Sequence, residues 1–188
     1  MIRIISAVLA MLALTAATAS AQDFPEDLGP EIGAQLPHAL DLEDQSGAVR
    51  DLEGLSGGNG LVLLFNRSLD WCPYCQNQTI TINKSASDIR ARGYDIAVVT
   101  YDPVETLALF AERRDIDIAL LSDPDSAAID AFGLRNEEYA DNPKVYGVPH
   151  PVVFVVSPNG EIQAKLYEES YKDRPAIEAI LNEFDALG

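Results

Sequence analysis

The two cysteines of the chain, Cys72 and Cys75, lie in the segment WCPYC at positions 71–75. The apolar run 61–65 before them predicts a buried strand, and Pro73 fits the first helical position, where its missing N–H needs no partner. We therefore expect Cys72 near a helix N-cap, where the helix dipole favours a thiolate. Cys75 follows one turn later, close enough for a disulfide. This spacing predicts a dithiol–disulfide cycle, with a purely structural disulfide and a metal site as the open alternatives.

The first 21 residues have the pattern of a secretory signal peptide. Arg3 precedes an apolar stretch at positions 4–14, and Ala19-Ser20-Ala21 forms a small-residue cleavage site. The apolar stretch is too short to span a bilayer. The residue immediately after the cleavage point is Gln22 and not a cysteine that could carry a lipid, so we expect no stable membrane anchor. The sequence predicts an exported protein, periplasmic in a bacterium, with a single domain at 22–188 in a compartment where disulfides persist.

The chain is strongly acidic, with a formal net charge of -17 over 188 residues. Such a charge repels phosphate backbones, and no basic stripe is present in the sequence. Nucleic acid is therefore not an expected partner. The length is sufficient for one domain with a sizeable core.

Apolar runs alternate with helical patterns along the remaining chain. Parallel strands joined by helices are expected from this order, with a hairpin before them at 40–52 and another at 152–166. The predicted strands are 61–65, 94–100, 118–121 and 152–156, and the predicted helices are 76–92, 103–114, 124–132 and 175–187. A polar loop is expected at 134–147.

The order strand, WCxxC, helix, LLSDPDSAAIDAFGL, HPVVFVVSPNGEI and final helix resembles the redoxin (AhpC/TSA, peroxiredoxin-like) branch of the thioredoxin superfamily. The resemblance covers residues 32–187. It implies an α/β, thioredoxin-like fold with a mixed, mostly parallel central sheet and helices on both faces. It also implies that Cys72 is the attacking thiol and Cys75 the resolving thiol.

Two departures from the peroxiredoxin pattern bear on the activity. Peroxiredoxins usually carry Pro-x-x-x-Thr/Ser-x-x-Cys. This chain has Phe65 at the Pro position and Leu69 at the Thr/Ser position. Peroxiredoxins also place an arginine before the strand at 152–156, where this chain has Pro151. Thioredoxin-like reductases have a cis proline there, so we expect a cis bond at Pro151, with an ordinary trans proline as the alternative.

The departures favour an exported thiol-disulfide oxidoreductase that cycles through a Cys72–Cys75 disulfide without another cofactor. Its expected partners are a thiol or disulfide protein substrate and an external electron donor. The first alternative is a peroxiredoxin-like thiol peroxidase, with peroxide as the substrate and Cys72 as the peroxidatic thiol.

The second alternative is a copper chaperone. Two thiolates and the imidazole of His150 would suit Cu(I), which resembles the SCO-type copper chaperones, although their cysteines have CxxxC spacing. Other supporting candidates are Arg67, as a stabiliser of thiolate or peroxide, and Trp71, which we expect to pack beside the disulfide. A surface location, with Asp70 partly cancelling its charge, is the more common environment for such an arginine.

Overall fold

A computed structural model describes residues 28–187 of the chain. The predicted signal peptide at 1–21 lies outside the described residues. The described chain forms one seven-stranded sheet with the strand order β2-β1-β5-β4-β3-β6-β7. The strands are β1 (Leu42–Asp44), β2 (Val49–Arg50), β3 (Gly60–Phe65), β4 (Tyr94–Thr100), β5 (Ala119–Ser122), β6 (Val152–Val156) and β7 (Ile162–Leu166).

The sheet is mixed, as expected, but it is not mostly parallel. The pairs β3–β4 and β4–β5 are parallel, because a helix connects the strands in each pair. The pairs β1–β2, β1–β5, β3–β6 and β6–β7 are antiparallel. Both predicted hairpins form, as β1–β2 and β6–β7. Each hairpin joins one edge of the parallel strands in antiparallel orientation, so antiparallel pairs outnumber parallel pairs.

The helices are α1 (Leu52–Leu55), α2 (Pro73–Lys84), α3 (Ala86–Arg90), α4 (Val104–Arg114), α5 (Ala127–Ala131) and α6 (Ile177–Leu187). They match the expected regions, except that one predicted helix is divided into α2 and α3 and the short helix α1 was not expected. The predicted helix at 76–92 is divided at Ser85, whose N–H turns back to the carbonyl of Ile82. The predicted loop at 134–147 contains a 3₁₀ turn, Glu137–Tyr139. Within residues 28–187, no helix combines the length and apolar character needed to cross a membrane.

The central strand β3 is buried on both faces, which explains its unbroken apolar sequence. Val62 and Leu64 face a core layer that includes α2, α3, α4 and α6. Leu61, Leu63 and Phe65 face the opposite layer, which includes α1 and α5. The sheet therefore has helices on both faces, as the resemblance implies.

The loop 66–71 joins β3 to α2 and is held by a carboxylate from the end of β4. Asp102 accepts hydrogen bonds from the Ser68 hydroxyl at 2.7 Å, the Leu69 N–H at 2.6 Å and the Thr100 hydroxyl at 3.0 Å. Burial raises the pKa of Asp102, while these donors favour its ionised form. The loop before Cys72 is thereby fixed to the neighbouring strand.

The start of β3 requires glycine, and this requirement can be tested. Gly60 has a φ of 134°, and an added Cβ would overlap the carbonyl oxygen of Val156. We expect Gly60→Ala to lower the free energy of unfolding by at least about 2 kcal/mol. Gly58→Ala is the matched control, because its Cβ would meet no atom within 4 Å. Urea denaturation should show a loss confined to Gly60→Ala, and equal stability of the two variants would contradict this account.

Removal of the Asp102 carboxylate should weaken the fold and the loop together. Asp102→Ala leaves a buried N–H and two hydroxyl groups without their acceptor, so we expect a loss of at least about 2 kcal/mol in the free energy of unfolding. The control is Asp125→Ala, at an exposed position in the segment LLSDPD, with an expected change within about 0.5 kcal/mol. Chemical denaturation of both variants measures the difference. A stable Asp102→Ala protein would mean that the loop is held by other contacts.

Candidate active site

The cysteine pair lies where the sequence predicts, at the junction of loop and helix. Cys72 is the N-cap of α2 and Pro73 its first residue. The Cys75 N–H donates to Cys72 Sγ at 3.4 Å, and the two sulfur atoms form a disulfide with 5.3 Å between the Cα atoms. Cys72 is 2% exposed and Cys75 is completely buried. A thiolate at Cys72 would therefore receive the N–H groups and the positive end of the helix.

Arg67 is buried beside the site, so the expectation of a surface arginine is wrong. Its side chain is enclosed by aromatic rings, and the residue is only 5% exposed. The guanidinium carbon lies 5.2 Å from the ring centroid of Trp71, 4.9 Å from that of Tyr139 and 4.4 Å from that of Tyr171. Cation–π contacts of this kind offset part of the hydration that the charge loses. Arg67 Nε is buried with no hydrogen-bond partner among residues 28–187, which leaves it available to an oxygen or sulfur anion.

Trp71 lies at the edge of this cluster and is 39% exposed. Its Nε1–H donates to the Tyr101 hydroxyl at 2.9 Å, and its ring contacts the Arg67 guanidinium. Burial raises the pKa of Tyr101. Trp71 therefore forms part of the aromatic wall around Arg67. The expected packing of its ring beside the disulfide stays a prediction.

A second arginine, absent from the expectations above, contacts the disulfide directly. Arg174 Nη2 donates to Cys75 Sγ at 3.4 Å. Its Nη1 donates to the carbonyls of Tyr171 and Asp173, and its Nε is buried without a partner in the described part of the chain. Burial lowers the pKa of Arg174 to about 10, and repulsion by Arg67 acts in the same direction. No local motif marks this residue, because it is 99 positions from Cys75 in the sequence.

The expected cis bond at Pro151 is wrong: no peptide bond among residues 28–187 is cis. A trans proline is compatible with this position because it immediately precedes β6, whose first residue is Val152. The preceding His150 is partly buried, and its N–H donates to the Leu134 carbonyl at 2.7 Å. Burial lowers the pKa of His150; Glu138 opposes this shift and Arg67 adds to it. The environment therefore favours the neutral form of the imidazole.

The residues of the copper hypothesis are not assembled as a ligand set. Across residues 28–187, no group of three or more His, Cys, Asp or Glu side chains has an arrangement that could hold a metal ion. The sulfur atoms of Cys72 and Cys75 are also bonded to each other. In the disulfide form, these cysteines and His150 are not arranged as a Cu(I) site, and copper binding by the reduced pair stays a prediction.

The loop before Cys72 lacks the hydroxyl group of the peroxiredoxin pattern. Leu69 occupies that position, is buried, and uses its N–H to bind Asp102. Ser68, one residue earlier, does not replace the missing group, because its Oγ donates to Asp102 and accepts from the N–H groups of Asp70 and Trp71. Among residues 28–187, the buried side-chain donors without a hydrogen-bond partner are instead the Nε groups of Arg67 and Arg174.

Comparisons with known proteins agree with this geometry. A model of the AhpC/TSA family matches residues 32–165. Peroxiredoxin Bcp of Escherichia coli is 25% identical over 136 residues, which cover 72% of this chain and 85% of that protein. The thiol-disulfide oxidoreductase ResA of Halalkalibacterium halodurans is 28% identical over 123 residues, 65% of this chain and 59% of that protein.

Among solved structures, peroxidoxin BcpB of Mycobacterium tuberculosis has a similar fold, with a TM-score of 0.68 and 22% identity. The alignment covers 83% of this chain and 95% of that one. This similarity supports the thioredoxin-like architecture described above. The match to the family model spans most of the described residues and includes both cysteines. This chain is therefore an oxidoreductase that belongs to the AhpC/TSA family.

Proposed function

We propose that this chain is a thiol peroxidase in which Cys72 is the peroxidatic cysteine and Cys75 the resolving cysteine. The observation that carries the proposal is the Cys72 Sγ at the N-cap of α2, bonded to Cys75, in a member of the AhpC/TSA family. The similarity to a peroxiredoxin supports peroxide as the substrate. This ranks the first alternative of the sequence analysis above the disulfide reductase that the sequence alone favours.

The chemistry requires a reduced pair and an ionised Cys72. The Cys72 thiolate attacks the terminal oxygen of a peroxide ROOH, the O–O bond breaks, and RO⁻ takes a proton and leaves as ROH. Cys72 is now a sulfenic acid. The Cys75 thiol attacks its sulfur, water leaves, and the Cys72–Cys75 disulfide forms. Two equivalents of an external thiol then supply the two electrons that restore the dithiol.

Two features of the site stabilise the charges in the oxidative step. The N-terminus of α2 favours the thiolate of Cys72 over its thiol. Arg67 brings a permanent positive charge and an unpartnered Nε into the adjoining aromatic cluster. We assign Arg67 to the developing negative charge on the departing peroxide oxygen, a role that the hydroxyl of the usual peroxiredoxin loop supports elsewhere in the family. Charge-assisted hydrogen bonds are stronger than neutral ones, so an arginine suits this role.

Thiol-disulfide exchange is the second candidate, and a specific observation favours it. The missing hydroxyl at Leu69, together with the engagement of its N–H by Asp102, removes part of the usual peroxide-binding loop. The similarity to ResA agrees with this candidate. In both candidates Cys72 attacks and Cys75 resolves. The signal peptide predicted at 1–21 adds export, and a periplasmic location in a bacterium, to the proposal.

The two candidates are separated by the substrate that reacts with Cys72. Reduced Cys75→Ser protein should gain one oxygen atom at Cys72 when it is mixed with hydrogen peroxide, because no resolving thiol remains to remove the sulfenic acid. Intact-mass spectrometry over a time course measures this gain. Cys72→Ser is the matched control, in which the buried Cys75 should react much more slowly.

The same Cys75→Ser protein is mixed in parallel with a disulfide-bonded model protein. Slow peroxide reaction with rapid capture of a mixed disulfide would overturn the peroxidase proposal in favour of thiol-disulfide exchange.

The role of Arg67 predicts a kinetic loss. Arg67→Met keeps most of the side-chain volume and removes the charge, so we expect the rate constant for oxidation of Cys72 by peroxide to fall roughly 100-fold, as for loss of an oxyanion donor. Arg113→Met, at an exposed position on α4, is the control and should react like the wild type. Stopped-flow kinetics measures both. An unchanged rate in a folded Arg67→Met protein would remove Arg67 from the mechanism.

A further inference from the structure

Arg174 and Arg67 place two positive charges near the cysteine pair, and neither forms a salt bridge among residues 28–187; the Asp173 carboxylate offsets the charge of Arg174 only in part. The ion pairs found among residues 28–187 involve other arginines, namely Arg50, Arg90, Arg92 and Arg135. Each of the two guanidinium groups at the site also has a buried Nε with no hydrogen-bond partner in that range. This is unusual in a chain whose net charge is -17.

Buried positive charge is costly unless an anion or a set of acceptors compensates it. In the oxidised state, the atom that Arg174 contacts is a disulfide sulfur, which is neutral and a weak acceptor. Reduction converts the same sulfur into a group that can carry a full negative charge. The contact is therefore much stronger in the reduced protein than in the oxidised protein.

We propose that Arg174 is a catalytic residue of the reductive half of the cycle, in which it stabilises Cys75 as the leaving thiolate. This role of Arg174 rests on the proposed peroxidase function, because the peroxidase cycle requires reduction of the disulfide. The same contact operates if the pair takes part in thiol-disulfide exchange.

Reduction of the disulfide consumes two thiols of the external reductant. A thiolate RS⁻ of the external reductant attacks Cys72 Sγ, the bond between Cys72 and Cys75 breaks, and its electron pair stays on Cys75 Sγ beside Arg174. A second reductant thiol attacks the mixed disulfide at the reductant's sulfur. RSSR leaves, and Cys72 is released as a thiolate. The protein gains two electrons, and two thiols are oxidised to one disulfide.

The direction of attack follows from the positions of the two sulfurs. Cys75 is completely buried and has Arg174 against its sulfur, whereas Cys72 retains slight exposure at the start of the helix. We take Cys72 as the sulfur that the reductant attacks, since the electron pair of the broken bond is then placed on Cys75 Sγ beside Arg174. A disulfide breaks faster when the leaving thiol has a low pKa, which an adjacent guanidinium produces. Although burial lowers the pKa of Arg174 to about 10, the group stays cationic at pH 7.

The reduction potential tests this role, because a purely structural residue would not change it. Wild-type protein and Arg174→Met are equilibrated with glutathione buffers of graded redox ratio, and the reduced fraction is measured by thiol alkylation after denaturation. We expect the equilibrium constant for reduction to fall about tenfold in Arg174→Met, equivalent to about 30 mV. The rate of reduction by a small thiol should fall in parallel.

The matched control is Lys172→Met, which removes a positive charge two residues away. Lys172 contacts the Tyr171 ring, with 5.8 Å from Nζ to the ring centroid, and belongs to the same segment as Arg174. Its substitution should leave the equilibrium constant nearly unchanged. Arg174→Lys should recover part of the loss by restoring the charge. Should Arg174→Met fail to fold, Arg174→Gln keeps donors for the Tyr171 and Asp173 carbonyls and takes its place in the same measurement.

An unchanged potential in folded Arg174→Met or Arg174→Gln protein would overturn the proposal. Equal losses in Arg174→Met and Lys172→Met would also overturn it, since the effect would then be one of general charge. Peroxide oxidation of Cys72 in the Cys75→Ser protein is measured separately. A failure of the peroxidase function therefore leaves the potential measurement intact, and the two failures are distinguishable.

Discussion

The position of Cys72 at the N-cap of α2 is the constraint on which the rest of the site depends. The thiolate gains the helix N-terminus only if the chain turns from strand to helix at this residue. Burial of β3 on both faces fixes the end of the strand. Asp102 then ties Ser68 and Leu69 to the end of β4, so the loop reaches Pro73 along a defined path. The central sheet thus sets where the reactive sulfur lies.

The electrostatics of the site are opposite to those of the whole chain. The sequence is acidic overall, yet the groups enclosed around the cysteines are Arg67 and Arg174. Aromatic faces and main-chain carbonyls contact the two guanidinium groups, and no carboxylate among residues 28–187 forms a salt bridge with either. A carboxylate would neutralise them and remove their effect on sulfur. The positive charges of Arg67 and Arg174 are thus only partly compensated, which is consistent with a site in which an anion forms during the reaction.

Local patterns were sufficient to predict the strand–CxxC–helix unit, both hairpins and the regions of the main helices, and the family resemblance implied helices on both faces of the sheet. The predictions that failed depended on neighbours distant in sequence. The balance of parallel and antiparallel pairing depends on where the hairpins join the edges. The burial of Arg67 depends on Tyr139 and Tyr171, which reach it from later loops. Arg174 has no spacing signal at all. The trans bond at Pro151 could not be deduced from a family resemblance, because the same residue suits either isomer.

In the proposed cycle, the two arginines serve different half-reactions. In the oxidative step negative charge develops on a peroxide oxygen that approaches Cys72, whereas in the reductive step it develops on Cys75 Sγ. Arg174 contacts Cys75 Sγ, and Arg67 lies in the neighbouring aromatic cluster that includes Trp71 and Tyr171. Because the two guanidinium groups repel each other, an anion formed beside one of them also offsets the repulsion that the other experiences. In the proposed cycle, each half-reaction therefore produces a negative charge beside an arginine that forms no salt bridge, in a loop that has Leu69 at the usual hydroxyl position.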